Sequence, residues 1–193
     1  MCIRDRLKSL FIAFFLSFPF FIKGEAQTTE QSKSSGLKKC TVFTAGDDNV
    51  NSYRIPSLLT AKDGTLLVFC EARRDSWRDK SRTDIVVKRS EDIGKTWSIM
   101  QDLTQGTTGA YMDPTPVLDS ITGRIFLFTT FWPAEDHSGA KNRAILITSG
   151  DNGKTWSLPI DVTSAIIPAG YHIVGFGPGA GSVSYTHLRA HET

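Results

Sequence analysis

The sequence predicts an all-β fold assembled from repeated units of four short strands, and three observations carry that prediction. The pattern Ser-x-Asp-x-Gly-Lys-Thr-Trp-Ser occurs twice, at Ser90–Ser98 and Ser149–Ser157, with an offset of 59 residues. The apolar runs between the turns (LLVFC, DIVVK, RIFLFTTF, AILIT) are rich in β-branched and aromatic residues and too short for helices. Glycines punctuate them in step, Gly64 with Gly123 and Gly94 with Gly153. A long fixed period with turn signals in register marks repeated supersecondary units.

In the first unit the expected strands are Pro56–Thr60, Thr65–Cys70, Asp84–Arg89 and a last one from Trp97 onward. A Lys62-Asp63-Gly64 turn separates the first two. In the second they are Thr115–Asp119, Arg124–Phe131 and Arg143–Thr148, with a turn at Thr122-Gly123. The offset of 59 runs upstream without a gap, setting Leu59 on Leu118, Phe69 on Phe128 and Val86 on Ile145. A third unit begins at Ala169–Gly181. Four-strand units in series are the blades of a β-propeller, here about two and a half of them, with an open sheet edge on each flank.

The two ends do not share this patterning. Met1–Arg6 (MCIRDR) and about Ser182–Thr193 (ending YTHLRAHET) resemble translated sequencing-adapter DNA, so both are expected to be foreign to the protein. Any group downstream of Gly181 is then expected to be missing from the chain. Residues 7–26 read as a secretory signal peptide: Lys8, a 13-residue apolar run from Leu10 to Ile22, then small residues around Gly24 and Ala26. The run falls short of the roughly 20 residues that span a bilayer. Residues 27–39 are polar and without an apolar period, a flexible linker. The expected setting is secreted or periplasmic, with membrane association left open.

Composition narrows the function only by exclusion. A net charge of +2 over 193 residues gives no electrostatic footprint for nucleic acid or an anionic membrane. Cys40 and Cys70 could form one bridge in an oxidising compartment but no framework. With His187 and His191 in the adapter-like end, only His137 and His172 remain, neither with a partner at metal-ligand spacing. No metal or cofactor is expected.

The repeated turn is read as scaffold. Asp92 and Asp151 can accept backbone N–H bonds within it, and Gly94 and Gly153 permit a positive φ. Thr96 and Thr155 open the next strand, and Trp97 and Trp156 pack against the blade. A calcium loop would need more oxygen ligands at a longer acid spacing.

These two turns, preceded by Tyr53-Arg54-Ile55-Pro56 and Glu71-x-Arg73, resemble the exo-α-sialidases with Asp-box (BNR) repeats. The turn alone is shared with many propellers; its combination with Arg-Ile-Pro and Glu-x-Arg is far more specific. The resemblance covers Cys40–Gly181 and implies a six-bladed β-propeller. It implies retaining, metal-independent hydrolysis of terminal α-linked sialic acid. The partners implied are sialylated glycans, glycoproteins or glycolipids, with no obligatory protein partner.

Arg54 matches the first of three arginines that hold the sugar carboxylate, a bidentate task suited to guanidinium. Pro56 is expected to keep Ile55 extended. The alternative for Arg54 is a surface arginine at a strand start. Asp79 stands where the resemblance places the acid/base, with Asp75 a local competitor and Asp84 a strand-end acid. Arg73 is implied near the 4-hydroxyl. Glu71 and Arg74 either orient their neighbours or form solvated ion pairs.

In Tyr111-Met112-Asp113-Pro114, the resemblance turns Asp113 to the 4-hydroxyl and Met112 to the N-acetyl group, although Met112 also suits core filling. Trp132, at the repeat position of Arg73, would wall the acetyl pocket. The implied tyrosine nucleophile and two further arginines have no match; Tyr171 and Tyr185 lack the context. The other readings are a non-catalytic Asp-box propeller used for binding or assembly, and a propeller glycosidase for neutral sugars. The arginine-rich site disfavours the latter.

Overall fold

The computed structural model describes residues 39–105, 108–136 and 138–183. The adapter-like start, the leader and all of the linker but Lys39 lie outside these residues. So do His137 and all but Ser182 and Val183 of the adapter-like end.

Two four-stranded antiparallel meanders follow one another. The first contains β1 (Ser52–Thr60), β2 (Leu66–Arg73), β3 (Thr83–Ser90) and β4 (Gln101–Asp102). The second contains β5 (Ala110–Leu118), β6 (Ile125–Trp132), β7 (Arg143–Ser149) and β8 (Ile160–Asp161). Each pairs in chain order, and one parallel pair, Thr83 with Ala110, joins β3 to β5. A one-turn helix α1 (Thr163–Ile166) follows. Beyond it the expected third unit is irregular, touching the sheet ladder at Gly181 opposite Val117. Among the described residues the strands do not close into a ring.

The blades pack face to face because strand alternation gives each a side whose core positions are apolar. Leu67, Phe69, Ile85 and Val87 of the first meet Tyr111, Ile125, Leu127, Ile145 and Ile147 of the second. Each such buried side chain contributes about 1.5–3 kcal/mol. On the far side of the first blade Cys70, Ala72 and Val86 form a smaller cluster with Val50, Phe43 and Tyr53. Cys40 is exposed and Cys70 buried, and they are unpaired. Cys70 Sγ donates to the Arg54 carbonyl at 3.0 Å, and burial pushes its thiol up to about 12.

Both Asp-box turns are knotted by their own polar groups. Asp92 accepts from the Thr96 amide (2.9 Å), the Thr96 hydroxyl (2.7 Å) and the Ser90 hydroxyl (2.8 Å). Asp151 repeats this with Thr155 and Ser149. Hydrogen bonds from Thr96 hold the Asp92 carboxyl down at about 2. In Asp151 burial opposes the same bonds, which still hold it at about 2. Thr96 and Thr155 therefore belong to the turns, not to the next strands, which open only at Gln101 and Ile160. The Thr96 and Thr155 amides are donated to the aspartate carboxylates, at 2.9 Å in each turn, rather than to a neighbouring strand.

The second turn also fastens the blades. Trp156 meets Phe69 edge to face at 5.6 Å, and Arg89 Nε donates to the Asn152 carbonyl at 3.1 Å. Gly94 and Gly153 share a positive φ, +79° and +77°, but a Cβ on Gly153 would lie 2.7 Å from Leu67 Cδ2. At Gly94 nothing comes nearer than 3.7 Å. Gly94→Ala should therefore cost about 1–2 kcal/mol for backbone strain alone. Gly153→Ala should cost about 1–3 kcal/mol more, for overpacking between blades. Urea midpoints of the two variants measure the difference, and equal losses would refute the inter-blade contact as its cause.

The repeat is not gapless. Thr60 pairs with Leu66 as Leu118 pairs with Ile125, so the second hairpin carries one extra residue in its turn. Downstream of that turn the offset is 59; upstream it is one less. Leu59 thus corresponds to Val117 rather than Leu118, and Arg54 corresponds to Met112.

Candidate active site

With the corrected register, Arg54-Ile55-Pro56 and Met112-Asp113-Pro114 become one structural motif seen twice. Each sits at a bulge of the first strand of its blade, between Arg54 and Ser57 in β1 and between Met112 and Thr115 in β5. The prolines are tolerated there because a bulge, and an edge strand, leave ladder positions without a required N–H. Ile55 is not extended: its φ is +52°, and that of Asp113 is +58°. A β-branched residue in the left-handed region, and before a proline, is a strained arrangement that neighbouring structure must hold in place. The bulges aim Arg54 and Asp113 toward one place.

Between them stands the end of β2. Leu67, Phe69, Glu71 and Arg73 alternate onto a single strand face, two apolar residues in the core and two charged ones at its rim. Glu71 is fully buried and Arg73 nearly so, at 0% and 1% exposed. Arg73 Nε and Nη2 donate to Glu71 Oε2 at 3.0 and 2.8 Å. The other oxygen, Glu71 Oε1, accepts the Asp113 amide at 3.0 Å, which ties the second blade to the first. Burial raises the Glu71 carboxyl, against the lowering by the Asp113 amide and Arg73. Burial likewise raises Asp113, opposed by Arg73 and assisted by Asp79.

Asp79 closes the cluster. Its Oδ1 lies 2.7 Å from Arg73 Nη1 and 3.6 Å from Arg54 Nη1. Arg73 Nη1 also donates to the Trp77 carbonyl at 2.6 Å. The Asp79 and Arg54 side chains are 68% and 48% exposed, so the cluster opens to solvent through these two groups. The Arg73 side chain, expected at the 4-hydroxyl, is buried beneath Asp79.

The remaining candidates separate cleanly. Arg74 turns to the opposite face, where it pairs with Asp84 at 2.9 Å and with Asp102. Asp84 is thus a buried strand-end partner, and Asp75 pairs outside the cluster with Arg82 at 3.2 Å. Met112 is half-buried opposite Thr130, its carbonyl accepting the Thr129 hydroxyl at 2.7 Å. Trp132 stands beside the cluster rather than in it. Lys80 Nζ sits 3.7 Å above its ring, and its indole N–H donates to the Asp136 carbonyl. Trp132 walls a small, mostly apolar cavity of about 170 Å³ with Ser138, Asn142, His172, Ile173 and Val174. Among the described residues no three His, Cys, Asp or Glu side chains are grouped as metal ligands.

Three features have little or no signal in the sequence. Gly175 comes so close that a Cβ there would lie 3.4 Å from Asp113 Oδ2, and the next amide, Phe176, donates to Thr130 Oγ1 at 3.0 Å. The Lys80–Trp132 stacking joins residues from two blades. The Trp77 carbonyl is a backbone group. Glu71 was open to detection, since two residues of separation on a strand put it on the face of Arg73.

Comparison with known proteins gives these groups a family. The model of the BNR repeat-like domain matches residues 55–184. A sialidase of Paraclostridium sordellii is 34% identical over 140 residues, 66% of this chain and 34% of that protein. A sialidase of Bacteroides fragilis is 31% identical over 159 residues, 71% of this chain and 29% of that protein. The solved Hadza microbial sialidase Hz136 superposes with a TM-score of 0.67 at 30% identity, covering 73% of this chain and 32% of its own. This chain therefore spans about a third of the length of the relatives it matches. Its two meanders are blades of an unclosed β-propeller, and the chain belongs to the sialidase family built on BNR repeat-like domains.

Proposed function

We propose that the protein to which this chain belongs is an exo-α-sialidase that retains configuration, and that these two blades supply the acid and carboxylate-binding half of its site. The observation that carries the reading is the convergence of Arg54, Arg73, Asp79 and Asp113 around Glu71, from two blades that repeat in scaffold but not in charge. Function placed on a repeated fold has that form.

Arg54, half exposed, offers a guanidinium fork to the substrate carboxylate. Asp79, protonated, gives its proton to the glycosidic oxygen as the C–O bond pair leaves with that oxygen. A phenol oxygen from the remainder of the protein bonds to the anomeric carbon as its proton passes to a glutamate carboxylate, also from that remainder. Asp79, now ionised, then takes a proton from the water that attacks the same carbon. The breaking C–O bond returns its pair to the phenol oxygen, which recovers its proton from the glutamic acid. A phenol suits this substrate because a carboxylate nucleophile would face the substrate's own negative charge. Arg73 serves first as the anchor of Asp79 and would meet the 4-hydroxyl only where Asp79 swings off it. Asp113 faces the 4-hydroxyl, and Met112 with Trp132 the N-acetyl side. The substrates are sialylated glycans of glycoproteins or glycolipids, and the setting is secreted or periplasmic.

The test uses the full-length protein to which this chain belongs. It should release sialic acid from sialyl-oligosaccharides, with the α-anomer appearing first by proton NMR. A full-length protein that binds but does not cleave these glycans would favour the binding-module reading; initial release of the β-anomer would refute retention.

A further inference from the structure

We propose that Trp77 is the platform on which the leaving sugar rests, a neutral pyranose next to the sialyl residue; this rests on the sialidase reading. Trp77 and Asp79 hang from one atom, since Arg73 Nη1 donates to the Trp77 carbonyl at 2.6 Å and pairs with Asp79 Oδ1 at 2.7 Å. The acid meets the glycosidic oxygen, and the leaving ring begins one bond beyond that oxygen. The leaving ring must therefore pass close to the segment that carries both residues.

Trp77 is open to solvent even though its backbone is held. Its carbonyl is tied to a buried guanidinium while the residue is 66% exposed, whereas Trp97, Trp132 and Trp156 are all partly buried. The loop beneath it is braced on both sides. Ser81 Oγ donates to the carbonyls of Ser76 (3.1 Å) and Arg78 (2.9 Å), and the Arg74 amide donates to the Arg82 carbonyl at 2.9 Å. Lys80 rests on Trp132 across the blade boundary. An exposed indole on a braced loop is a flat, rigid apolar surface with only two side-chain torsions to lose, which suits the C–H face of a pyranose. Among the described residues no aromatic or cation–π pair engages that ring.

The experiment compares two substrates whose leaving oxygens are both alkoxides: sialyl-lactose, with a sugar to stack, and methyl α-sialoside, without one. In the full-length enzyme, Trp77→Ala should lower the ratio of kcat/KM for sialyl-lactose over methyl sialoside about tenfold, mostly through KM. Trp77→Phe, which keeps a flat ring, should restore most of the ratio. A ratio that stays within about twofold in Trp77→Ala overturns the proposal, and so does a Phe variant as impaired as the Ala variant. A wild-type enzyme inactive on both substrates removes the sialidase reading and the platform with it, a result distinct from an active enzyme whose ratio ignores Trp77.

Discussion

Asp79→Ala in the full-length enzyme should slow release from sialyl-oligosaccharides by about 10²–10⁴-fold, the usual worth of a positioned acid/base. Activated aryl sialosides, whose phenoxide leaves without a proton, should lose much less. The split follows from chemistry rather than from binding, so it separates loss of the acid from loss of fit. Asp75→Ala supplies the control: Asp75 pairs with Arg82 on the exposed side of the loop and lies outside the Arg54–Arg73 cluster. It should lose little on either substrate. Equal loss on both substrate classes in Asp79→Ala would remove Asp79 from the role, and a large split in Asp75→Ala would transfer it.

How much of this was legible beforehand depends on the range over which each feature is encoded. The strands and Asp-box turns are local: alternation, β-branched runs and Ser-x-Asp-x-Gly are complete within a few residues. The structure has both turns and the two inner strands of each blade close to where the sequence put them, whereas the first strands begin earlier, at Ser52 and Ala110, and the last open only at Gln101 and Ile160. Errors arose where one residue decides a register. An offset of 59 fits every residue downstream of the hairpin turns, yet one extra residue in the second turn moves Arg54 onto Met112. That shift hides the likeness of Arg-Ile-Pro to Met-Asp-Pro. The expectation that Pro56 keeps Ile55 extended failed because it priced only the local clash; the bulge and the neighbouring strand hold Ile55 at positive φ. In the site, the charged residues were readable by type and spacing, whereas their connections were not. That the Asp113 amide binds Glu71, 42 residues earlier, is a fact about blade packing. The charged residues left a signal; the Trp77 carbonyl on Arg73 and the missing Cβ of Gly175 beside Asp113 left none.

Glu71 is where fold and site depend on the same atoms, and its removal should be the costliest single change in stability. Glu71→Ala in this chain should lower unfolding free energy by about 3–5 kcal/mol, the range for breaking a buried pair from one side. The pair exists on a fully buried carboxylate, which binds the Arg73 guanidinium through one oxygen and the Asp113 amide through the other. Without it a guanidinium remains in the interior with fewer partners, and the Asp113 amide loses its acceptor. Arg73 would keep only Asp79 and the Trp77 carbonyl, on its other side. Glu71→Gln keeps the side-chain shape and a carbonyl acceptor but not the charge, so it should fall between wild type and Glu71→Ala. The double variant Glu71→Leu/Arg73→Met replaces both charges by apolar groups and should be less destabilised than the sum of its single changes, because neither partner is left stranded. Urea unfolding of the wild type, Glu71→Ala, Glu71→Gln, the double variant and its two single variants, Glu71→Leu and Arg73→Met, tests this directly. A Glu71→Ala cost below about 1 kcal/mol, as for an exposed ion pair, or strict additivity in the double variant, would show that Glu71 is not the junction of the two blades.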